Sequence, residues 1–570
     1  MILKNWQLKA KPATETVNAL GQSLNISSEL ATMLVQRGID TFEAAKSFFR
    51  PNLAEIHDPF LMKDMDKAVA RLEKAINTKE KIMIFGDYDV DGTTSVSLMY
   101  DFLSKHHSDL IYYVPDRYIE GYGISKLGID TAHEGGISLI IALDCGIKSV
   151  DKISYANSLN IDFIICDHHN PGSEVPAAVA VLDPKQIDCP YPFKELTGCG
   201  VGFKLLQAYS IKNNLDVSLL NDYLDFVVTS ISCDIVPIIG ENRILSYYGL
   251  KKINENPRTS LKVLREAAGV RGEMTIENVV FGFGPRINAA GRIAHAKKAI
   301  ELMLETDEDQ AKTFVASINQ NNTDRKKFDE SITAEAISMI ENNDWLLKEA
   351  KSTVLFSKDW HKGVVGIVAS RCIEKYYRPT IILTESNGKA TGSARSVAGF
   401  DLYDAIDACS DLIEQWGGHM HAAGMTLTLE NVVPFQKKFD KIVSERITAE
   451  QQIQTINIDL EVDLSIIDFK FFGILKQMSP FGPMNMQPVF CSKGVHIVRN
   501  SLMKMKEKHL KFQVADPETG VTFSAIGFGM VDSFYEKLST AKTCDICYTL
   551  DINEFRDQKT LQLMLKDVKF

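Results

Sequence analysis

KIMIFGDYDVDG, residues 81–92, runs from an apolar stretch into a turn that carries Asp87, Asp89 and Asp91. Three carboxylates within five positions repel one another, and such crowding is costly unless a cation neutralises it. The apolar half is continuous rather than alternating, as in a strand buried on both faces. The same phrase recurs downstream. LIYYV (110–114) precedes PDR, SLIIAL (138–143) precedes DCG, DFIIC (162–166) precedes DHH, and AAVAVL (177–182) precedes DP. Between these runs, SVSLMYDFLSK and SVDKISYANSLN have helical spacing. Short apolar runs alternating with helices predict βαβ units around a parallel sheet. Ligands of such sheets gather beyond the carboxyl ends of the strands.

That is where the reactive side chains fall. Asp144 ends SLIIAL, Asp167, His168 and His169 follow DFIIC, and Asp234 follows VVTSISC. Asp87–Gly92 matches the first half of a calcium loop, D-x-D-x-D-G. The twelfth position, where a bidentate glutamate belongs, is Leu98, and the motif follows a strand-like run rather than a helix. Carboxylates suit magnesium and manganese, and an added imidazole tilts the set toward manganese. One metal uses about half of these groups; two metals about 3.5–4 Å apart, bridged by a shared carboxylate, use nearly all of them. Such a pair clamps a displacement at phosphorus and activates a water, so no serine or cysteine nucleophile is required.

The bulk numbers fit a multidomain enzyme. A chain of 570 residues is long enough for three or four domains. Hydrophobic residues make up 45% and charged residues 24%, as in soluble globular proteins, and no run reaches membrane-spanning length. MILKNWQLKAKPATE lacks the long apolar core of a secretory signal. Ten cysteines are scattered, several inside apolar runs, as expected of reduced thiols in a cytoplasmic protein. Cys544 and Cys547 form one CxxC without a second pair and read as strand residues rather than zinc ligands. The net charge of −11 argues against indiscriminate coating of nucleic acid and is compatible with a local basic channel. Residues 1–50 read as short helical segments, and 200–345 as mainly helical, with 312–343 forming one long helix or two. A second α/β pattern starts near residue 351. Residues 455–570 alternate apolar with polar and predict a small five-stranded barrel. In that barrel Lys504, Lys506, Lys508 and Lys511 beside Phe512 offer cations and an aromatic to a single strand.

D-x-D-x-D-G with a downstream DHH resembles the DHH phosphoesterase superfamily. IYYVPDRYIEGYGIS (111–125), CDHHNPG (166–172), LTGCGVGFKL (196–205), FGFGPRINAAGRI (281–293), WHKGVVGIVASR (360–371), TGSARS (391–396) and GGHMHAAG (417–424) are similar to successive blocks of its RecJ branch, the single-strand-specific DNA exonucleases. PFGPMNMQPVF (480–490) resembles that branch's entry into its oligonucleotide-binding (OB) barrel. The resemblance implies an α/β fold: a parallel-sheet DHH domain plus a second, smaller α/β domain of DHHA1 type, followed by a C-terminal OB-like β-barrel. The expected boundaries are 1–50 for the N-terminal helical segment, 51–260 for the DHH domain with the metal site, 261–345 for connecting helices, 346–450 for the DHHA1-type domain and 455–570 for the OB domain.

By the same resemblance Asp89, Asp91, Asp144, His168 and Asp234 are ligands of two Mn2+ or Mg2+ ions, with Asp144 as the natural bridge. Asp87 coordinates a metal or holds its water, and His169 meets the scissile phosphate or orients the ligand shell. Arg286, Asn288, His361, Arg395, Gly417, Gly418 and His419 are the expected substrate-binding residues; glycine-rich backbone approaches phosphate closely, and an arginine grips it with two donors. The implied activity is 5′→3′ hydrolysis of single-stranded DNA to 5′-mononucleotides, in DNA repair and recombination. The implied partners are single-stranded DNA and a single-strand-binding protein or RecQ-type helicase, with no membrane, and a monomer suffices.

Overall fold

A short strand, β1 (Lys4–Leu8), opens the chain in the computed structural model, which describes residues 4–117, 119–293, 295–556 and 558–570. Residues 1–50 are therefore not helical throughout; β1 precedes the helices Thr14–Leu24, Ser28–Val35 and Phe42–Phe49. The chain divides into two units. The first comprises Lys46–Arg325 and Met478–Met486, the second Met1–Ala45, Lys326–Gln477 and Gln487–Phe570. The division falls inside the helix Glu308–Glu341, so the stretch read as one long helix or two is one. Among the described residues no helix is long and apolar enough to cross a membrane.

In the first unit every apolar run quoted above is a strand: β2 (Ile82–Gly86), β3 (Leu110–Tyr113), β4 (Leu139–Leu143), β5 (Asp162–Cys166) and β6 (Ala180–Leu182). All pairings are parallel, in the order β3-β2-β4-β5-β6. Ile82, Ile84, Leu139 and Ile141 enter one hydrophobic cluster, and Met83, Phe85, Ile140 and Ala142 enter another. Successive side chains point to opposite faces, and helices cover both, which is why these runs show no alternation. Each of these side chains larger than alanine contributes on the order of 1.5–3 kcal/mol. Strand order reverses between β2 and β4, which opens a crevice at their carboxyl ends. The helix Val90–Leu103 starts there, with Asp89 as its N-cap accepting from the Gly92 N–H at 3.0 Å. Only glycine fits at 92, since a Cβ would lie 2.2 Å from the Asp87 carbonyl oxygen.

The second unit holds a mixed sheet of β7 (Thr353–Ser357), β8 (Thr380–Ser386), β9 (Lys389–Arg395), β10 (Gln415–His419) and β11 (Ala422–Leu427), ordered β10-β11-β9-β8-β7. The helix Val365–Lys375 is the crossover between parallel β7 and β8. β12 (Gln454–Ile458) pairs in parallel with β1. Next come β13 (Leu460–Glu461), β14 (Phe490–Ile497), β15 (Met503–Met505), β16 (His509–Ala515), β17 (Thr522–Gly527), β18 (Thr543–Phe555) and β19 (Gln558–Lys569). Pairing runs β14-β18-β19-β17-β16 and returns from β16 to β14, so five strands close a barrel. Cys544 and Cys547 are buried on β18.

Two expectations change here. Phe512 is fully buried in the barrel, so it cannot stack on a base; Leu510, Phe512 and Val514 form the inward row of β16, while Gln513 is exposed and Lys511 half-buried. The segment read as the barrel's entry is also divided. Met478–Met486 belongs to the first unit, where Arg243 donates to the carbonyls of Met478 at 3.0 Å and Ser479 at 2.9 Å.

Beneath the parallel sheet lies a buried ion pair. Lys204 Nζ donates to Glu241 Oε1 at 3.0 Å and to the His57 carbonyl at 2.5 Å, and Tyr191 donates to the other carboxylate oxygen at 2.7 Å. Removing one partner strands a buried charge. Lys204→Met is expected to lower unfolding free energy by about 3–5 kcal/mol, read by urea denaturation.

Candidate metal centre

Asp144 is the first residue after β4 and stands at φ 58°, a left-handed conformation that aspartate tolerates better than most residues. Its side chain is pressed by the start of the helix Gly198–Lys212: a Cβ on Gly198 would lie 2.5 Å from the Asp144 Cβ. That helix start also holds Asp91. Oδ2 accepts from the Gly198 N–H at 2.7 Å, and Oδ1 accepts from the Cys199 N–H at 2.8 Å and from Ser230 Oγ at 2.7 Å. The helix N-terminus thus offsets part of the negative charge it gathers.

Around this anchor the ligand atoms converge. His168 Nε2 lies 3.2 Å from Asp144 Oδ1, and 3.6 Å from both Asp91 Oδ2 and Asp234 Oδ2. Three sets each hold their potential ligand atoms within 4.8 Å of one another: Asp87, Asp89 and Asp144; Asp91, His168 and Asp234; Asp144, His168 and His169. Asp144 belongs to two of these sets. Asp234 arrives from the end of the helix Leu224–Cys233, not from a strand.

The electrostatics fit cations. Burial, then the charge of Asp89, pushes the Asp87 carboxyl well above the usual range. Burial and Asp91 push Asp144 and Asp234 well above it as well, and raise Asp89. Burial also lowers His168 to about 4, which leaves a neutral imidazole, the form that binds metal. Asp87 Oδ1 and His168 Nδ1 are buried without a hydrogen-bond partner in the protein. Packed acids of this kind, with polar atoms left over, are suited to hard divalent ions.

A supporting shell was not legible as such. Asp167, counted from the sequence among the oxygen groups open to the metals, instead accepts from the Ile147 N–H at 2.9 Å, the His168 N–H at 2.7 Å and His169 Nδ1 at 2.7 Å. Burial pushes Asp167 up, but the bond to His169 and its charge outweigh this and hold it at about 2. Burial lowers His169, and Asp167 more than reverses this, to about 9. Tyr122 donates to the Asp144 carbonyl at 3.1 Å and approaches His169 Nε2 at 3.2 Å. Spacing alone carries no signal for Tyr122, Gly198 or Ser230, because their roles depend on tertiary approach.

The expected substrate residues fall in two places. In the first unit, Arg286 donates to the carbonyls of Gly282 at 2.7 Å and Ala267 at 3.0 Å and to Asn319 Oδ1 at 2.7 Å, bracing the π-helical turn Val279–Phe283. Asn288 is half-buried on the next helix, Gly284–Ile293, which abuts the metal loop where Gly291 meets Tyr88. In the second unit, Arg395 and His419 face the same residue, Ala422, from either side in the sheet, so both lie at one end of it. The Arg395 guanidinium also covers Gly366 at the start of the helix Val365–Lys375. His361 stacks on Phe328, 5.1 Å between centroids. Gly418 is needed for the hairpin itself, since a Cβ would lie 2.3 Å from the Ala422 carbonyl oxygen, whereas Gly417 has open space.

A metal-ready acidic crevice at the switch point of a parallel sheet defines a protein of the DHH class, and the N-terminal domain of the DHH family matches residues 81–231. The DHHA1 domain matches 349–445 and the RecJ OB domain 458–567. The Bacillus subtilis (strain 168) protein named single-stranded-DNA-specific exonuclease RecJ is 36% identical over 565 residues, covering 99% of this chain and 70% of that one. The Escherichia coli (strain K12) protein of the same name is 31% identical over 526 residues, covering 88% and 90%. The chain belongs to the RecJ family. Among solved structures, an exonuclease RecJ bound to manganese is 31% identical, with a TM-score of 0.60 over 70% of this chain and 97% of that one. RecJ of Thermus thermophilus with Mn2+ shares the fold at a TM-score of 0.85, with 24% identity over 99% and 79% of the two chains.

Bound metal should relieve the repulsion and stabilise the protein. Manganese at 100 times its Kd is expected to add about 2.7 kcal/mol to the unfolding free energy, read as a rise in Tm by calorimetry. Gly198→Ala, which drives a methyl into Asp144, is expected to lose that rise.

Proposed function

We propose that the chain is a single-strand-specific DNA exonuclease that hydrolyses phosphodiester bonds from the 5′ end and releases 5′-mononucleotides. The observation that carries the reading is the convergence of Asp87, Asp89, Asp91, Asp144, His168 and Asp234 at the carboxyl ends of β2 and β4. Two Mn2+ or Mg2+ ions bound there supply Lewis acidity at the phosphate and lower the pKa of water.

The protein's own groups do the positioning. Asp144, shared between two ligand sets, would be the ligand common to both ions; Asp89, Asp91, His168 and Asp234 would hold them with it, and Asp87 would coordinate a metal or hold its water. Asp167 fixes the His169 ring through Nδ1, so that Nε2, beside the Tyr122 hydroxyl at 3.2 Å, is the nitrogen proposed to turn to the scissile phosphate. Arg286 and Asn288, together with His361, Arg395, Gly417, Gly418 and His419, are proposed to hold the strand. Arg286 acts by bracing its turn, and Arg395 and His419 act as the polar end of their sheet. In the barrel, Arg499 and Lys511 line a shallow surface cleft with Met503 and Gln513, and these cations are proposed to follow the strand's backbone.

The domain ranges 1–50, 51–260, 261–345, 346–450 and 455–570 are proposed as the functional divisions of the chain. The wider reading is a cytoplasmic monomer in DNA repair and recombination, acting with a single-strand-binding protein or a RecQ-type helicase. Family membership supports it.

Digestion of end-labelled single-stranded and duplex oligonucleotides with manganese or magnesium tests substrate, polarity and metal together. The expected pattern is 5′-end loss from single strands alone, abolished by EDTA. Asp144→Ala is expected to reduce hydrolysis by about three orders of magnitude or more with an unchanged circular dichroism spectrum. Substantial residual turnover would sink the bridging role.

A further inference from the structure

Ile235 follows the ligand Asp234 and stands at φ 60°. The helix Leu224–Cys233 ends with Asp234 as C-cap, so Ile235 holds the position where helices commonly reverse through glycine. A β-branched side chain is disfavoured there. The other non-glycine residues at positive φ among the described residues are Asn, Asp, Lys, Glu, Arg or Met; Ile235 is the one β-branched side chain.

Packing does not offset this strain, because Ile235 is 63% exposed. Its neighbours fix the backbone without it. Val236 and Ile238 are buried, the Ile238 N–H donates to the Pro483 carbonyl at 2.8 Å, and Asn242 Nδ2 donates to the Pro237 carbonyl at 3.1 Å. The bonded segment repeats the feature: Met484 has φ 64° and is 69% exposed. Backbone strain that the surroundings impose, and that burial does not repay, clusters at ligand sites.

We infer that Ile235 is a substrate contact, its apolar branch resting against the sugar and base face of the nucleotide whose phosphate lies at Asp234. The inference rests on the nuclease reading above. An apolar face reads no hydrogen-bonding edge, so it suits an enzyme that must accept every base in turn.

Two variants separate contact from structure. Ile235→Gly removes the branch and the strain; Ile235→Val keeps the branch. Affinity for a hydrolysis-resistant phosphorothioate thymidine pentanucleotide, with manganese, is read by fluorescence anisotropy beside Tm and kcat/KM on single-stranded DNA. Ile235→Gly is expected to melt at or above the wild-type temperature while affinity and kcat/KM fall about tenfold. Ile235→Val is expected to stay near wild type. A glycine variant that binds and cleaves like wild type overturns the inference. So does one in which Tm and affinity fall together, since the side chain is then structural. A wild type that binds the pentanucleotide through Ile235 yet leaves single-stranded DNA intact sinks the nuclease reading and keeps the contact. A wild type without affinity overturns both.

Discussion

Repulsion among buried carboxylates is the constraint on which the first unit depends. Asp87, Asp89, Asp144 and Asp234 are all raised above the ordinary carboxylate range by burial, partial at Asp89 and Asp234, and by one another's charge. Left alone, such a set would splay or draw in water. The fold prevents this with elements that are strong for other reasons. β2 and β4 are locked in the middle of a sheet covered on both faces, and the helix Gly198–Lys212 brings two backbone N–H donors to Asp91. The site is a local cost carried by a large core, as expected where function opposes stability.

Much of the fold was legible because burial on both faces writes itself as an uninterrupted apolar run. Each run in the first 200 residues became a strand, and each acidic turn after β2, β4 and β5 became part of the centre. β1 escaped because five residues with a mild alternation are completed only by β12, some 450 positions later. Asp234 could be placed in the site and within the mainly helical stretch 200–345, although VVTSIS taken alone is equally apolar as a strand or as a buried helix. That Asp167 holds the histidines rather than a metal, and that Tyr122 and Ser230 join the site, was beyond reach for a different reason. Hydroxyls and a lone acid become meaningful only when tertiary approach sets them 2.7–3.2 Å from a ligand.

The barrel shows a reading corrected by its own pattern. HLKFQVA alternates, and the alternation that marked it as a strand also sends Phe512 inward with Leu510 and Val514. The period of two along β16 separates the cations from the aromatic, with Phe512 on the inward face and Lys511 on the other. Arg286 is a similar case: a guanidinium that satisfies two carbonyls and an amide oxygen acts on its surroundings through the turn it braces.

The polypeptide crosses between its two units more than once: out of the second after Ala45, back after Arg325, and out again for the nine residues Met478–Met486. No single break in the backbone therefore yields both units whole. A cut after Met486 frees the closed barrel and leaves the strap Met478–Met486 with Arg243, but it parts the barrel from β1 and β12, which stay with the earlier chain.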